Sequence, residues 1–148
     1  MKKSYLTPAQ ERSLRTSLFL FEKALRSVDQ LLLEGEEIGI LLIRKSHLDN
    51  SLRFALRKKI ADTLIELRQF VLDLGLKPFE ESIERTIIAE MSTCWESLEE
   101  SRSKRMRGYG DLDPRAAKMI DPNINHFAKI ALELSRATLV DSSNDSGE

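Results

Sequence analysis

Between residues 14 and 32 the chain places Leu14, Leu18, Phe21, Leu25, Val28 and Leu32 at successive spacings of 4, 3, 4, 3 and 4. Apolar residues recurring every 3.5 positions share one side of an α-helix but alternate between the faces of a strand. This stretch therefore reads as a helix that must bury a seam. Thr7-Pro8-Ala9-Gln10 supplies its start: a hydroxyl that accepts from a free amide, proline where no donor is needed, and Gln10 to complete a capping box. Gly35 ends it. Phe19, Leu20, Leu31 and Leu33 widen the stripe, so the helix is expected to meet more than one neighbour.

The rest of the chain repeats this grammar. Six Gly and four Pro in 148 residues are too few for many short strands, which favours a small number of long helices. A second helix follows a cap at Asp49 or Asn50 and runs to Leu74, with Gly75 closing it. Its expected face is Leu52, Leu56, Ile60, Leu64, Leu67, Val71 and Leu74, with Arg53 and Arg57 largely off it. After Lys77-Pro78 a third helix is expected from Phe79 to Arg105, with Ile83, Ile87, Met91, Cys94 and Leu98 inward and Ile88 and Trp95 beside them. Asp113-Pro114 and Asp121-Pro122 each read as a cap followed by proline at the first helical position. The first opens a short helix near 114–119, and the second opens a final helix with Ile124, Phe127, Ala131 and Leu134 inward. The apolar run Ile38 to Ile43, within the 35–50 connection, has no partner strand signal and reads as a loop or short helix. The expected fold is all-α: an antiparallel bundle of four main helices with that short extra helix, a single domain over 1–140 and a disordered acidic tail over 141–148.

The balance of 23 basic and 24 acidic residues leaves a net charge of −1, which gives no global attraction to nucleic acid or anionic lipid. One cysteine makes no internal disulfide and no zinc cage, so a cytoplasmic setting is expected. The opening residues lack the apolar core of a secretory signal, and no apolar run approaches the roughly 20 residues of a membrane span. Neither His47 nor His126 has a glutamate three residues before it, so the Glu-x-x-His pattern of di-iron bundles is missing. Cys94 lies on the expected apolar stripe as a small hydrophobe. No cofactor is expected.

Three constellations remain. Arg44, Lys45, Arg53, Arg57, Lys58 and Lys59 form one basic patch over 44–59. Arg102, Lys104, Arg105 and Arg107, with Tyr109 beyond, form a second over 102–109. Cations beside an aromatic suit phosphate contact and base stacking. The third is Glu80-Glu81-Ser82-Ile83-Glu84, whose E-E-x-x-E spacing resembles the magnesium-binding motif of all-α nucleotide pyrophosphohydrolases. That resemblance implies Mg²⁺ held by Glu80, Glu81 and Glu84 against a nucleotide phosphate. The second acidic pair of that family, E-x-x-D, has only Glu96-Ser97-Leu98-Glu99 on the same helix to answer it. Carboxylates at a helix start also serve the helix dipole.

The reading these features favour is a non-enzymatic helical protein that acts through protein–protein contacts and self-associates. Its expected surface is Leu18, Phe21 and Leu25 on the first helix, with Arg102, Arg105, Arg107 and Tyr109 at the basic turn. The alternatives, in order, are nucleic-acid association through Arg53, Arg57 and Lys58 with the second patch, and a magnesium-dependent nucleotide pyrophosphohydrolase.

Overall fold

The computed structural model describes residues 5–144, with side chains through 139. The chain is all-α. Its long helices are α1 (Pro8–Glu34), α2 (Asn50–Leu74), α3 (Ile83–Glu99) and α5 (Pro114–Asn144). Shorter pieces are β1 (Glu37–Ile38), β2 (Ile43–Arg44), α4 (Ser103–Met106) and a 3₁₀ turn at Arg107–Tyr109. The elements gather in two compact units, Met1–Phe79 and Glu80–Glu148.

In the first unit the helix ends follow the expected chemistry. The Gln10 amide donates to Thr7 Oγ1 at 3.2 Å, and the Thr7 amide donates to Gln10 Oε1 at 3.0 Å, which completes the capping box. Asp49 accepts from the Leu52 amide at 2.7 Å and caps α2. Gly75 closes α2 in the left-handed conformation (φ 66°), and the Leu76 amide reaches back to the Val71 carbonyl at 3.1 Å. Gly35 is required by its backbone, whose φ of 69° strains any residue with a Cβ; the Arg53 guanidinium also lies close beside it.

Helices α1 and α2 pack antiparallel. Arg15 donates to the Lys77 carbonyl at 2.8 Å, Arg57 to Asp29 at 2.9 Å, and Arg53 to the Leu32 carbonyl, so rising numbers on one helix meet falling numbers on the other. The buried side of α1 carries Leu14, Leu18, Leu25 and Leu32, but Glu22 and Asp29 take the places expected for Phe21 and Val28. On α2, Ile60, Leu64, Leu67, Val71 and Leu74 face inward as expected. Leu52 and Leu56 are exposed, and Arg53 and Arg57 lie inward instead. The physical reason is at the end of α1, whose last carbonyls and Asp29 carboxylate need donors that leucine lacks.

The 35–50 connection is neither a plain loop nor a helix. β1 and β2 pair antiparallel with Glu37 opposite Arg44 and Ile38 opposite Ile43, and the Gly39 amide donates to the Leu42 carbonyl at 2.9 Å. The apolar run that periodicity alone cannot assign is thus a short hairpin.

In the second unit α3 is shorter than expected. Ser82 caps it, accepting from the Arg85 amide at 3.3 Å, and leaves Glu80 and Glu81 outside the helix. It stops at Glu99, where the apolar stripe lapses, and Arg102 to Arg105 belong to the α4 turn rather than to its end. Ile88, Met91, Trp95 and Leu98 form its half-buried side, while Ile83, Ile87 and Cys94 are exposed. α5 returns along α3 with Ile124, Ala128, Ala131 and Ser135 inward, a seam of mostly small residues that permits close approach of the two backbones. Phe127 and Leu134, expected inward, are each 49% exposed.

The short helix expected near 114–119 is the first part of α5, which continues through Pro122 without interruption. Asp113 does act as a cap, accepting from the Arg115 amide at 2.8 Å. Asp121 does not cap a new helix because its carboxylate is turned to Ser103, and the Asn123 side-chain amide donates to the Met119 carbonyl at 2.7 Å. The expected tail from Asp141 is helical to Asn144, and its remainder, 145–148, lies outside the described residues.

Candidate interaction surface

The sequence places three kinds of candidate on the fold, and their local geometry separates them. Arg53 and Arg57, expected as a nucleic-acid patch, are structural cations. Arg57 pairs with Asp29, and Arg53 donates to the end of α1, leaving Lys58 the exposed member of that trio. Their guanidinium groups are turned toward α1 and not out from the helix.

The three carboxylates of the acidic motif do not converge. Glu81 accepts from Thr86 Oγ1 at 2.9 Å, and Glu84 accepts from Ser82 Oγ at 2.9 Å, one turn away on the helix proper. Hydrogen bonds to its own backbone amide and to Ser82 hold the Glu84 carboxyl below the usual range. Among the described residues no three His, Cys, Asp or Glu side chains are grouped to hold a metal ion. A shallow cavity is lined by Glu80, Glu81, Ser82, Arg85, Thr86, Ala89 and Glu90, which omits Glu84.

The turn after α3 is tied down at its start and free at its end. Asp121 accepts from the Ser103 amide at 2.9 Å and from Ser103 Oγ at 2.6 Å, so a residue of α5 caps α4. Those two bonds, with Arg102 and Arg107 nearby, hold the Asp121 carboxyl below its ordinary value. Arg102 forks onto both Glu99 oxygens at 2.6 and 2.7 Å and also donates to Asn125. The fork pulls the Glu99 carboxyl down in turn. Beyond this clasp Arg105 approaches Glu100 only to 3.9 Å, and Tyr109 is 89% exposed. Of the four residues expected here, Arg102 is structural and Arg105, Arg107 and Tyr109 face outward.

The largest apolar opportunity lies on α1. Leu18 and Leu25 are half-buried on the side that meets α2, whereas Phe21 is 41% exposed and Val28 46%. Leu20, Phe21, Ala24, Val28 and Leu31 fall within about 100° around the axis, beside the face that meets α2. All five are exposed. Leu20 and Leu31 of the widened stripe thus join Phe21 and Val28 of the heptad in a second seam that α2 does not cover, while Phe19 and Leu33 fall elsewhere around the axis. Sequence reasoning missed its separateness because Glu22 and Asp29 look like surface residues until their places beside α2 are known.

A groove at the other end of the same unit adds to it. Leu18, Phe19, Leu64, Ile65, Leu67, Val71, Leu76 and Phe79 form its apolar wall around a cavity of about 570 Å³. The Arg15 guanidinium lies 4.3 Å over the Phe79 ring, and Phe19 meets that ring edge-on at 5.3 Å. No helix among the described residues is long and apolar enough to cross a membrane. Compared with family models, curated proteins and solved structures, the chain matches none.

Proposed function

We propose that this chain is a non-enzymatic helical interaction module that self-associates through the outer seam of α1. The observation that carries this reading is the run Leu20, Phe21, Val28 and Leu31, each exposed at 41 to 58% on one face of a capped, regular helix. Fully removing a Leu, Val or Phe side chain from water contributes about 1.5–3 kcal/mol. Four such residues at heptad-like spacing on a rigid helix are a seam suited to a second helix of the same kind.

Sedimentation velocity across a concentration series tests it. The wild-type chain is expected to gain mass with concentration, and Phe21→Asp with Val28→Asp is expected to lower that mass at every concentration with its helical content intact. Arg105→Ala with Arg107→Ala, at the basic turn, should leave the mass unchanged. A wild-type chain that stays monomeric throughout defeats the reading.

A further inference from the structure

The hairpin between α1 and α2 ends in side chains that no folding requirement explains. Ile40 and Leu41 are 101% and 99% exposed, and Ile38, Leu42 and Ile43 around them are exposed as well. Hairpin loops ordinarily use Gly, Asn, Asp or Pro, whose backbones and side chains suit the reversal. Here no residue from Ile40 to Leu42 has a positive φ, so the loop makes no demand that polar turn residues would fail to meet. Consecutive aliphatic residues held entirely in water reduce solubility and gain nothing within the unit.

We infer that this hairpin is a plug, and that its occupant is the α1–α2 groove of a second copy of the chain. The inference rests on the self-association reading only in taking the partner to be a second copy; it uses a different surface. Charge favours this partner. Glu34, Glu36, Glu37 and Asp49 against Arg44, Lys45 and the Arg53 guanidinium beside Gly35 leave the hairpin and its base acidic by one charge. Arg15, Arg26, Arg68 and Lys77 against Glu22 leave the groove lining basic by three. An acidic base under an apolar tip is repelled by anionic lipid but complements a basic rim around an apolar cavity. The cavity, about 570 Å³, falls in the range of sites that take up a small apolar group.

The plug cannot fill the groove of its own unit. Ile65, in the groove wall, stands about 24 Å along α2 from Asp49, at a rise of 1.5 Å per residue. The contact therefore runs from one end of a unit to the opposite end of the next. Such head-to-tail contacts build rings or open chains rather than closed pairs.

Two singly substituted chains test this, each made with Cys94→Ser to remove the native thiol. One carries Leu41→Cys at the plug and the other Ile65→Cys in the groove. Mixed in equal amounts and exposed to mild oxidant, they are expected to give the 41–65 heterodimer well beyond the twofold excess over each homodimer that random pairing produces, because a disulfide needs Cα atoms within about 7 Å. Leu41→Asp, which sets a charge where a leucine is to be desolvated, should weaken the association by about tenfold or more. The 1:2:1 mixture of random pairing, homodimers alone, or no cross-link overturns the inference. So does a fluorophore attached at position 41 of the Leu41→Cys chain that responds to phosphatidylcholine–phosphatidylserine vesicles with no 41–65 product. Repeating the mixture with Phe21→Asp and Val28→Asp in both chains separates the two readings. A cross-link that persists there shows the plug acting without the α1 seam. Seam-dependent mass without the cross-link leaves the seam and removes the plug.

Discussion

Ala128 and Phe127 are neighbours on α5 with opposite expected responses, and the pair tests the register of the second unit. Ala128 is 3% exposed in the seam toward α3, while Phe127 is 49% exposed. Ala128→Leu adds three carbon atoms. Were there room, each would contribute about 0.8 kcal/mol by leaving water. The position has no room, and overpacking of this kind costs about 1–3 kcal/mol. Phe127→Ala at a fully buried site would cost about 3–5 kcal/mol. With half the ring already in water, the loss is about 1 kcal/mol, offset in part by the better helix propensity of alanine. Urea and thermal unfolding followed by far-ultraviolet circular dichroism read both. At about 2–4 °C per kcal/mol for a chain of this length, Ala128→Leu should lower Tm by about 2–12 °C and Phe127→Ala by about 4 °C or less. If Phe127→Ala is the more damaging change, or Ala128→Leu is neutral, the assignment of the α5 face is wrong.

Acid should act through Asp121. Its carboxyl is depressed in the folded chain, so its contribution to stability is present above the unfolded value, about 3.9, and is lost as pH falls through the lower folded value. Melting measured from neutral to strongly acidic pH should show Asp121→Asn less stable than wild type at neutral pH, with a shallower decline below about pH 4; parallel curves would refute it. Pro122→Ala should raise stability, because proline inside a helix is about 3 kcal/mol less favourable than alanine and withholds an amide from the Lys118 carbonyl. An unchanged or lower Tm would mean that Pro122 meets a need other than helix formation.

The helix ends were legible because their chemistry is local. Thr7 with Gln10, Asp49, Gly75 and Asp113-Pro114 each act within a few residues of where they stand, and each performs the expected task. The helix faces were less legible. Heptad spacing cannot tell that Asp29 lies beside α2, since what holds it there is Arg57, 28 positions away. On α5 the buried seam is made of Ala128, Ala131 and Ser135, and a search for large apolar residues passes over them in favour of Phe127 and Leu134. Pro122 marked a false start because Asp121 satisfies another helix's amide, a choice 18 residues distant. For the surface, Leu20 and Leu31 announced a second neighbour, and Phe21 proved to belong to that side. The ties of Arg53 and Arg57 to α1 were hidden for the same reason as that of Asp29: a charge that reaches a distant carbonyl or carboxylate reads in sequence as a solvated one.

The bonds from Ser103 to Asp121 close a loop of backbone, and the helix just beyond that loop lacks an amide proton at Pro122, so the Lys118 carbonyl has no partner from that position. The chain thus has a clasp next to a missing rung. Protonating Asp121 weakens the bonds from Ser103, while the bond from Arg102 to Asn125 and the Ala128–Ser135 seam against α3 remain. Amide hydrogen exchange in that loop is expected to quicken in Asp121→Asn before exchange along the Ala128–Ser135 seam does. Arg105, Arg107 and Tyr109 follow directly on this clasp, so a carboxylate of another helix helps to hold the base of the exposed turn.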